Sequence, residues 1–137
     1  PLIRYKTEDY AVLKEDVECG CGRKYPKIVK DVVGRTGDLI ITPSGKIIQP
    51  NHLEYAIRFI KHFKDCQIIQ DDIRHLKVLV VPEVGYTPEE GEEFKRAILW
   101  RLNDDMDVDI ELVKDIPRPP NLKKRFTINL IKEEMIK

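Results

Sequence analysis

The chain has 137 residues, which is enough for one ordinary domain with its own hydrophobic core. Hydrophobic residues make up 42% and charged residues 35%, a balance typical of a folded globular protein, and it excludes a disordered chain. The 24 Lys and Arg residues equal the 24 Asp and Glu residues, and a net charge of zero argues against a dedicated binder of nucleic acid or anionic membrane.

The cellular setting can be predicted from the same numbers. No run of about 20 apolar residues is present, so we expect no membrane-spanning helix, and no signal peptide is recognised. Three cysteines do not suggest a disulfide framework, which favours a reducing cytoplasm. The first residue is Pro rather than Met, which suggests a processed chain or a piece of a longer one.

Residues 1 to 34 have an irregular pattern. The sequence Cys19-Gly20-Cys21-Gly22 predicts a tight turn, because glycine tolerates turn backbone angles. Short strand-like runs lie on either side of it, at Leu2–Tyr5, Tyr10–Leu13 and Ile28–Val33.

From Arg35 the pattern becomes regular. Leu39–Thr42 and Lys46–Ile48 predict a β-hairpin around Ser44-Gly45. A helix is predicted to start at Pro50-Asn51 and to carry an apolar stripe at three- and four-residue steps. The residues of that stripe are Leu53, Ala56, Ile57, Ile60 and Phe63.

The second half of the chain predicts strands around one further helix. Thr87-Pro88-Glu89-Glu90 is a helix start, with Thr as N-cap, Pro at the first position and acids in the first turn. The buried face of this helix is predicted to consist of Phe94, Ala97, Ile98 and Leu102. The predicted strands are Cys66–Gln70 and Leu76–Val81, with a turn at Asp71-Asp72, then Val108–Val113 with Val108, Ile110 and Leu112 on one side, and an extended piece at Phe126–Ile131.

This order of elements predicts the fold class. An α+β layer fold accommodates the order helix, strand, strand, helix and strand, because each element can bury its apolar face against another layer. We expect a small, mostly antiparallel sheet with two packed helices, preceded by a β-hairpin and an irregular N-terminal segment.

The cysteine pair could be half of a zinc site. Structural zinc usually takes four ligands, with two to four residues between paired cysteines, whereas one residue separates Cys19 from Cys21. His52 and His62 fall in the predicted first helix and His75 begins a strand. A tight turn with two reduced thiols is the simpler interpretation, and a metal site completed elsewhere stays open.

The basic run Lys123-Lys124-Arg125 has two interpretations. A short charge run is usually a solvated loop. Here the proline segment Ile116–Pro120 stiffens the chain that leads to the basic run, and an apolar strand follows the run. A lysine held in that way could be presented at a fixed place, as a cation must be to stabilise a developing phosphoryl charge.

Four motifs in order give the chain a family resemblance. They are "YKTED", "CGCGRKYPKI", "GRTGDLIITPSGKIIQPNHLE" and "IPRPPNLKKRF". Together they resemble the C-terminal part of an adenylate-forming enzyme. The Cys-Gly-Cys-Gly-Arg turn points to the subgroup that includes phenylacetate–coenzyme A ligase and coenzyme F390 synthetase.

The resemblance implies a two-step reaction. A carboxylate, aryl or phenylacetate-like, attacks the α-phosphate of ATP to give an acyl-adenylate and pyrophosphate, and coenzyme A then displaces AMP, with Mg²⁺ in the full-length enzyme. Residues 1–34 would be the tail end of a large N-terminal domain, and residues 35–137 a lid that rotates between the steps. The large domain would be the lid's partner, and the chain alone would be inactive.

The resemblance also assigns roles to single residues. Asp9 would accept hydrogen bonds from the ribose hydroxyls, and Arg35 would lie near the ribose and phosphates. Lys123 would contact the acid carboxylate and the α-phosphate. Gly45 and Lys46, in the Ser44-Gly45-Lys46 loop, would approach coenzyme A in the second step.

The hinge would lie near residues 35–38, at Gly37 and Asp38. The chain departs from the family pattern at Glu8, which stands in place of a glycine, and at Leu122, which replaces the glycine before the lysine. Lys124 therefore competes with Lys123 for the lysine role.

Two further hypotheses stay open. Small helix–sheet domains also serve as stand-alone regulatory or protein-interaction domains. A zinc module built on Cys19 and Cys21 is the other hypothesis. An isolated lid could also self-associate through an apolar surface that its partner domain normally covers.

Overall fold

The structure is a computed structural model that describes residues 3, 7, 9–14, 29–35, 38–103, 106–118 and 124–131. Within these ranges it contains eight strands and two helices. In chain order they are β1 (Asp9–Leu13), β2 (Val29–Arg35), β3 (Ile40–Ile41), β4 (Ile47–Ile48), α1 (Pro50–Ile57), β5 (Phe63–Asp72), β6 (His75–Pro82), α2 (Pro88–Leu102), β7 (Asp107–Leu112) and β8 (Thr127–Asn129).

The chain divides into two compact units, Pro1–Thr36 and Gly37–Lys137. In the first unit β1 and β2 form a two-stranded antiparallel sheet whose register shifts twice along β1. These strands confirm the predicted runs near residues 10–13 and 28–33. The predicted cysteine turn lies outside the described residues.

The second unit is built on a four-stranded sheet in the order β7-β6-β5-β8. The hairpin β5–β6 is antiparallel, whereas β8 joins β5 and β7 joins β6 in parallel. A separate two-stranded sheet pairs β3 with β4. Across the described part of the chain three of the five strand pairs are antiparallel, so the α+β prediction is confirmed.

The core of the second unit lies between the sheet and the two helices. Phe94 on α2 is fully buried and meets the Phe63 ring edge-on, with 4.9 Å between ring centroids. Such an aromatic pair adds about 0.5–1.5 kcal/mol beyond its buried area. The core residues with no exposed surface include Ile40, Leu53, Ile68, Leu76, Val78, Val80, Ile98 and Leu102.

Helix α2 forms as its sequence predicts. The Thr87 side chain accepts a hydrogen bond from the Glu90 backbone N–H, and the Glu90 carboxylate accepts one from the Thr87 backbone N–H, which completes a capping box. At the other end Asn103 adopts the left-handed conformation, with φ 48°, and its N–H donates to the Leu99 carbonyl. Both helix ends therefore have local partners.

The first helix is shorter than predicted. It ends at Ile57, and His62 lies outside it with φ 56°, so the prediction that places His62 in a helix is wrong. The apolar spacing continues because Ile60 packs on the core from a loop and Phe63 from the start of β5. Burial, rather than helical structure, accounts for that part of the stripe.

Two smaller predictions are also corrected. Asp72 pairs with His75, so Asp71-Asp72 belongs to strand β5 and the turn falls at Ile73-Arg74. Leu112 is 54% exposed, although it has the same alternation as buried Val108, because it lies at the end of edge strand β7. No helix in the described ranges is long and apolar enough to cross a membrane.

The capping box gives a test of stability. We expect Thr87→Ala to lower the free energy of unfolding by about 1 kcal/mol, since the Glu90 backbone N–H loses its side-chain acceptor. Urea denaturation measures this change. Glu92→Ala, at an exposed position on the same helix, is the matched control and should stay within about 0.5 kcal/mol of wild type. Equal losses in the two variants would contradict a specific role of the cap.

Candidate functional site

The first unit brings two predicted site residues together. Asp9 and Arg35 are directly opposite each other in the register of β1 and β2, although they are far apart in sequence. Cross-strand neighbours of this kind have Cβ atoms about 4.5–5.5 Å apart. Both side chains are exposed, so a carboxylate and a guanidinium are presented to solvent side by side.

In the second unit the β3–β4 turn is organised by one threonine. The Thr42 backbone pairs with Lys46 and accepts from the Gly45 N–H at 2.9 Å, while its hydroxyl lies 3.0 Å from the Ser44 hydroxyl. Gly45 has φ 81°, a conformation that favours glycine. A Cβ built on Gly45 would meet no atom within 4 Å, so the turn presents open space at this residue.

Lys46 points away from the turn to the end of helix α2. Its Nζ donates to the carbonyl oxygens of Leu102 and Asn103, both at 3.2 Å. These carbonyls lie at the negative end of the helix dipole, where a cation is stabilising by about 0.3–1 kcal/mol. In the structure Lys46 therefore ties the turn to α2.

A set of buried and half-buried polar side chains holds the strand that leads to this turn. The Gln70 amide has no exposed surface, accepts from the Ile41 N–H at 2.9 Å and donates to the Ile41 carbonyl at 2.6 Å. Asn129 donates to the Leu39 carbonyl at 2.8 Å, and the Thr127 hydroxyl donates to the Asp38 carbonyl. Side chains of β5 and β8 thus fasten the backbone of residues 38–41 to the large sheet.

The basic run is only partly described, because Lys123 lies outside the described residues, as does the predicted hinge residue Gly37. Lys124 makes an ion pair with Asp65, and Arg125 Nε lies 2.6 Å from Asp38 Oδ1. The two residues that follow Lys123 in the sequence are therefore both paired with carboxylates. Asp38, predicted as a hinge residue, holds the segment after the basic run.

Cys66 follows Asp65 in this region and is buried. Burial raises the pKa of its thiol to about 12, opposed by the positive charge of Lys124 and assisted by the negative charge of Asp65. The thiolate is the nucleophilic form of cysteine. At neutral pH Cys66 is therefore a neutral core residue and not a nucleophile.

Two of the histidines, His62 and His75, contact carboxylates, and in the described part of the chain they do not gather into a metal centre. His75 Nδ1 lies 2.5 Å from Asp71 Oδ1 and its Nε2 lies 3.2 Å from Asp109 Oδ2, while His62 Nδ1 lies 2.9 Å from Glu90 Oε1. Within the described ranges no group of three or more His, Cys, Asp or Glu side chains is placed to hold a metal ion. Cys19 and Cys21, on which the zinc hypothesis depends, lie outside those ranges.

The sequence interpretation missed the two glutamines of β5. Gln67 donates to the Arg125 carbonyl at 2.7 Å, next to the basic run, and Gln70 holds Ile41. The signal was present in "CQIIQ", where two amides interrupt an apolar strand. A buried amide requires hydrogen-bonding partners, so both glutamines could have been singled out as contacts to other segments.

The fold is shared with a coenzyme A ligase of known structure. Two crystal structures of 2-hydroxyisobutyryl-CoA ligase resemble the chain at 22% identity, which establishes a shared fold. The one in the postadenylation state with 2-HIB-AMP has a TM-score of 0.54 and matches over 99% of this chain and 30% of that one. The one in the thioesterification state with 2-HIB-AMP and CoA has a TM-score of 0.51 and matches over 94% and 28%.

The sequence identifies the family more closely. The chain belongs to the CapK C-terminal domain family, whose model matches residues 40–130. It is 31% identical over 134 residues to Protein CapK of Staphylococcus aureus. That match covers 96% of this chain and 30% of the relative, so the chain spans about a third of the length of the curated relative that it matches.

The His75 ion pairs predict a pH dependence of stability. The hydrogen bond that His75 donates to Asp71 raises the pKa of His75. Partial desolvation lowers this pKa, and the contact with Asp109 raises it further. A histidine whose pKa is raised on folding stabilises the fold fully at pH values below its pKa in the unfolded chain, which is about 6.5. This contribution is lost as the pH rises through its pKa in the folded protein. We therefore expect His75→Gln to be less stable than wild type at about pH 5.5 and to approach it at about pH 9.

Thermal unfolding across this pH range measures the difference. Asp71→Asn is the matched control, because it keeps the histidine and removes its first partner, and it should lose most of the same pH dependence. Parallel stability curves for wild type and His75→Gln at every pH would show that the ion pairs do not favour the protonated histidine.

Proposed function

We propose that the chain is the C-terminal lid of an AMP-forming ligase, which activates a carboxylic acid with ATP and transfers the acyl group to coenzyme A. The observation that carries the proposal is the pairing of Asp9 with Arg35 in one sheet register. Independently of the structure, the motif resemblance assigns both residues to nucleotide binding. Membership in the CapK C-terminal domain family and the shared ligase fold support the same proposal.

The exposed Asp9–Arg35 pair suits a nucleotide. An ionised carboxylate has two acceptor oxygens, which match two ribose hydroxyls. A guanidinium donates in a planar fork that matches phosphate oxygens. ATP would supply the α-phosphate as the electrophile, accompanied in the full-length enzyme by Mg²⁺ on its phosphates.

Lys123 is the proposed cation of the first step. A carboxylate oxygen of the acid forms a bond to the α-phosphorus, and the bond to pyrophosphate breaks. A lysine at the reacting oxygens offsets the negative charge that develops. The ion pair between Lys124 and Asp65 supports Lys123 over Lys124 for this role, because the Lys124 ammonium already has a carboxylate partner.

The β3–β4 turn is the proposed contact for coenzyme A in the second step. There the thiolate sulfur bonds to the acyl carbon and AMP leaves. The open space at Gly45 suits the approach of a narrow chain such as pantetheine. Because Lys46 Nζ is bound at the end of α2, we propose that Lys46 places the turn through its backbone.

The acid is proposed to be aryl or phenylacetate-like, as the motif resemblance implies. We expect the 137-residue chain alone to be inactive, since the rest of a protein of the length of its relative would carry the acid and adenine pockets. The alternative is a stand-alone interaction domain. Exposed Tyr55 and Phe59 on either side of Arg58 favour it, because clustered aromatic and arginine side chains are common in protein contacts.

ATP–pyrophosphate exchange by the full-length protein tests the ligase proposal. With a panel of aryl and fatty acids, we expect exchange that depends on the acid and that falls by at least about 100-fold in Lys123→Ala, since a transition-state contact is lost. Lys124→Ala is the matched control and should retain exchange within about tenfold of wild type.

Three outcomes would count against parts of the proposal. Exchange that survives in Lys123→Ala and collapses in Lys124→Ala would move the role to Lys124. Exchange that survives in both variants would remove the basic run from catalysis. A folded protein that shows no exchange with any acid and does not bind ATP would overturn the ligase proposal and favour the interaction domain.

The turn gives a second test. Asn tolerates positive φ, so Gly45→Asn should preserve the turn while filling the open space. We expect it to slow thioester formation from preformed acyl-adenylate by about tenfold or more, with pyrophosphate exchange unchanged. Ser44→Asn, which enlarges the adjacent residue, is the control for bulk in the turn. Equal thioester rates in wild type and Gly45→Asn would show that the space at Gly45 is not used.

A further inference from the structure

Strand β5 connects the two segments that carry the proposed chemistry of the second unit. It lies between β6 and β8 in the interior of the four-stranded sheet. Two of its buried residues, Gln67 and Gln70, have polar side chains. Burying an amide is costly unless it is hydrogen-bonded, so each amide marks a place where the strand holds another segment.

Gln67 holds the segment that follows Lys123. Its Nε2 donates to the Arg125 carbonyl at 2.7 Å, and the adjacent Ile68 N–H donates to the Phe126 carbonyl at 2.9 Å. Lys123 precedes this anchored backbone by two residues in the sequence.

Gln70 holds the segment that leads into the Gly45 turn. Its amide satisfies both the N–H and the carbonyl of Ile41, the last residue of β3. Strand β3 has two residues and so does its partner β4, which is too little for a stable hairpin by itself. The position of the turn therefore depends on Gln70.

We infer that Gln67 and Gln70 are positioning residues for different half-reactions. Gln67 serves adenylation by holding the Arg125 carbonyl at the end of the basic run, and Gln70 serves thioester formation by holding Ile41 before the Gly45 turn. This inference rests on the proposed function. Both amides belong to the interior strand β5. This one strand therefore holds the segment used in the first half-reaction and the segment used in the second.

The choice of residue supports a positioning role. An apolar side chain would fill the same space without the burial cost of an amide, and it would leave the backbone groups it faces without a partner. A charged side chain would cost more to bury. Glutamine reaches across to a neighbouring segment, and its amide can both donate and accept, which Ile41 requires.

Half-reaction kinetics of the full-length protein test the division. Gln67→Met keeps the volume and removes the donor, and we expect pyrophosphate exchange to fall by about tenfold or more while thioester formation from acyl-adenylate stays within about twofold. Gln70→Met should show the reverse, so each variant is the matched control of the other. Should Gln70→Met fail to fold, Gln70→Glu is the second variant. Its carboxyl group can make both bonds to Ile41 while it is neutral and loses the donor when it ionises, so thioester formation should fall relative to wild type as the pH is raised.

Hydrogen exchange on the same proteins tests the anchoring separately from activity. Gln67→Met should speed amide exchange in residues 124–126 and leave residues 38–46 at the wild-type rate, and Gln70→Met should do the opposite. Both half-reactions falling equally in each variant, or neither changing, would overturn the division. A wild-type protein without pyrophosphate exchange would overturn the proposed function instead. The hydrogen-exchange pattern of the variants would still show whether each amide anchors its segment.

Discussion

The two hydrogen bonds between the buried Gln70 amide and the Ile41 backbone are the constraint on which the second unit depends. They join the short β3–β4 hairpin to the four-stranded sheet. Removing the amide would leave the half-buried N–H and carbonyl of Ile41 without this partner. A fully buried group left unsatisfied costs about 1–3 kcal/mol, which is an upper bound for each of these two groups. The bonds to Asn129 and Thr127 extend the same attachment back to Asp38.

Lys46 completes the attachment from the other side. Its ammonium lies at the C-terminal end of α2, so the turn is held both by the sheet and by a helix. The capping box at Thr87 and the left-handed Asn103 define where that helix begins and ends. The position of the turn is therefore coupled to a helix whose limits are set by its own sequence, which gives an exposed loop a defined geometry.

The parts that sequence predicts well are those with local causes. The start of α2 follows from Thr87 and Glu90, and the β3–β4 turn follows from Gly45. The end of α1 was predicted too late, because Ile60 and Phe63 are buried by tertiary contacts while matching a helical spacing. The parallel pairing of β8 with β5, the meeting of Asp9 with Arg35 and the partners of Gln67 and Gln70 arise between distant segments, which no local pattern specifies.

The ion pairs around the basic run bear on how a single lysine could be selected. Surface ion pairs contribute little stability, about 0–1 kcal/mol, so the pairs of Asp65 with Lys124 and Asp38 with Arg125 serve geometry more than stability. In the proposed ligase an unpaired Lys124 or Arg125 would compete for the phosphates of ATP and bind them in unproductive positions. A carboxylate beside each of these two cations reduces that competition, and the same carboxylates orient the backbone that follows Lys123. In the proposed ligase, charge pairing would limit which cation meets the nucleotide, and amide anchoring would hold the backbone that follows the proposed lysine.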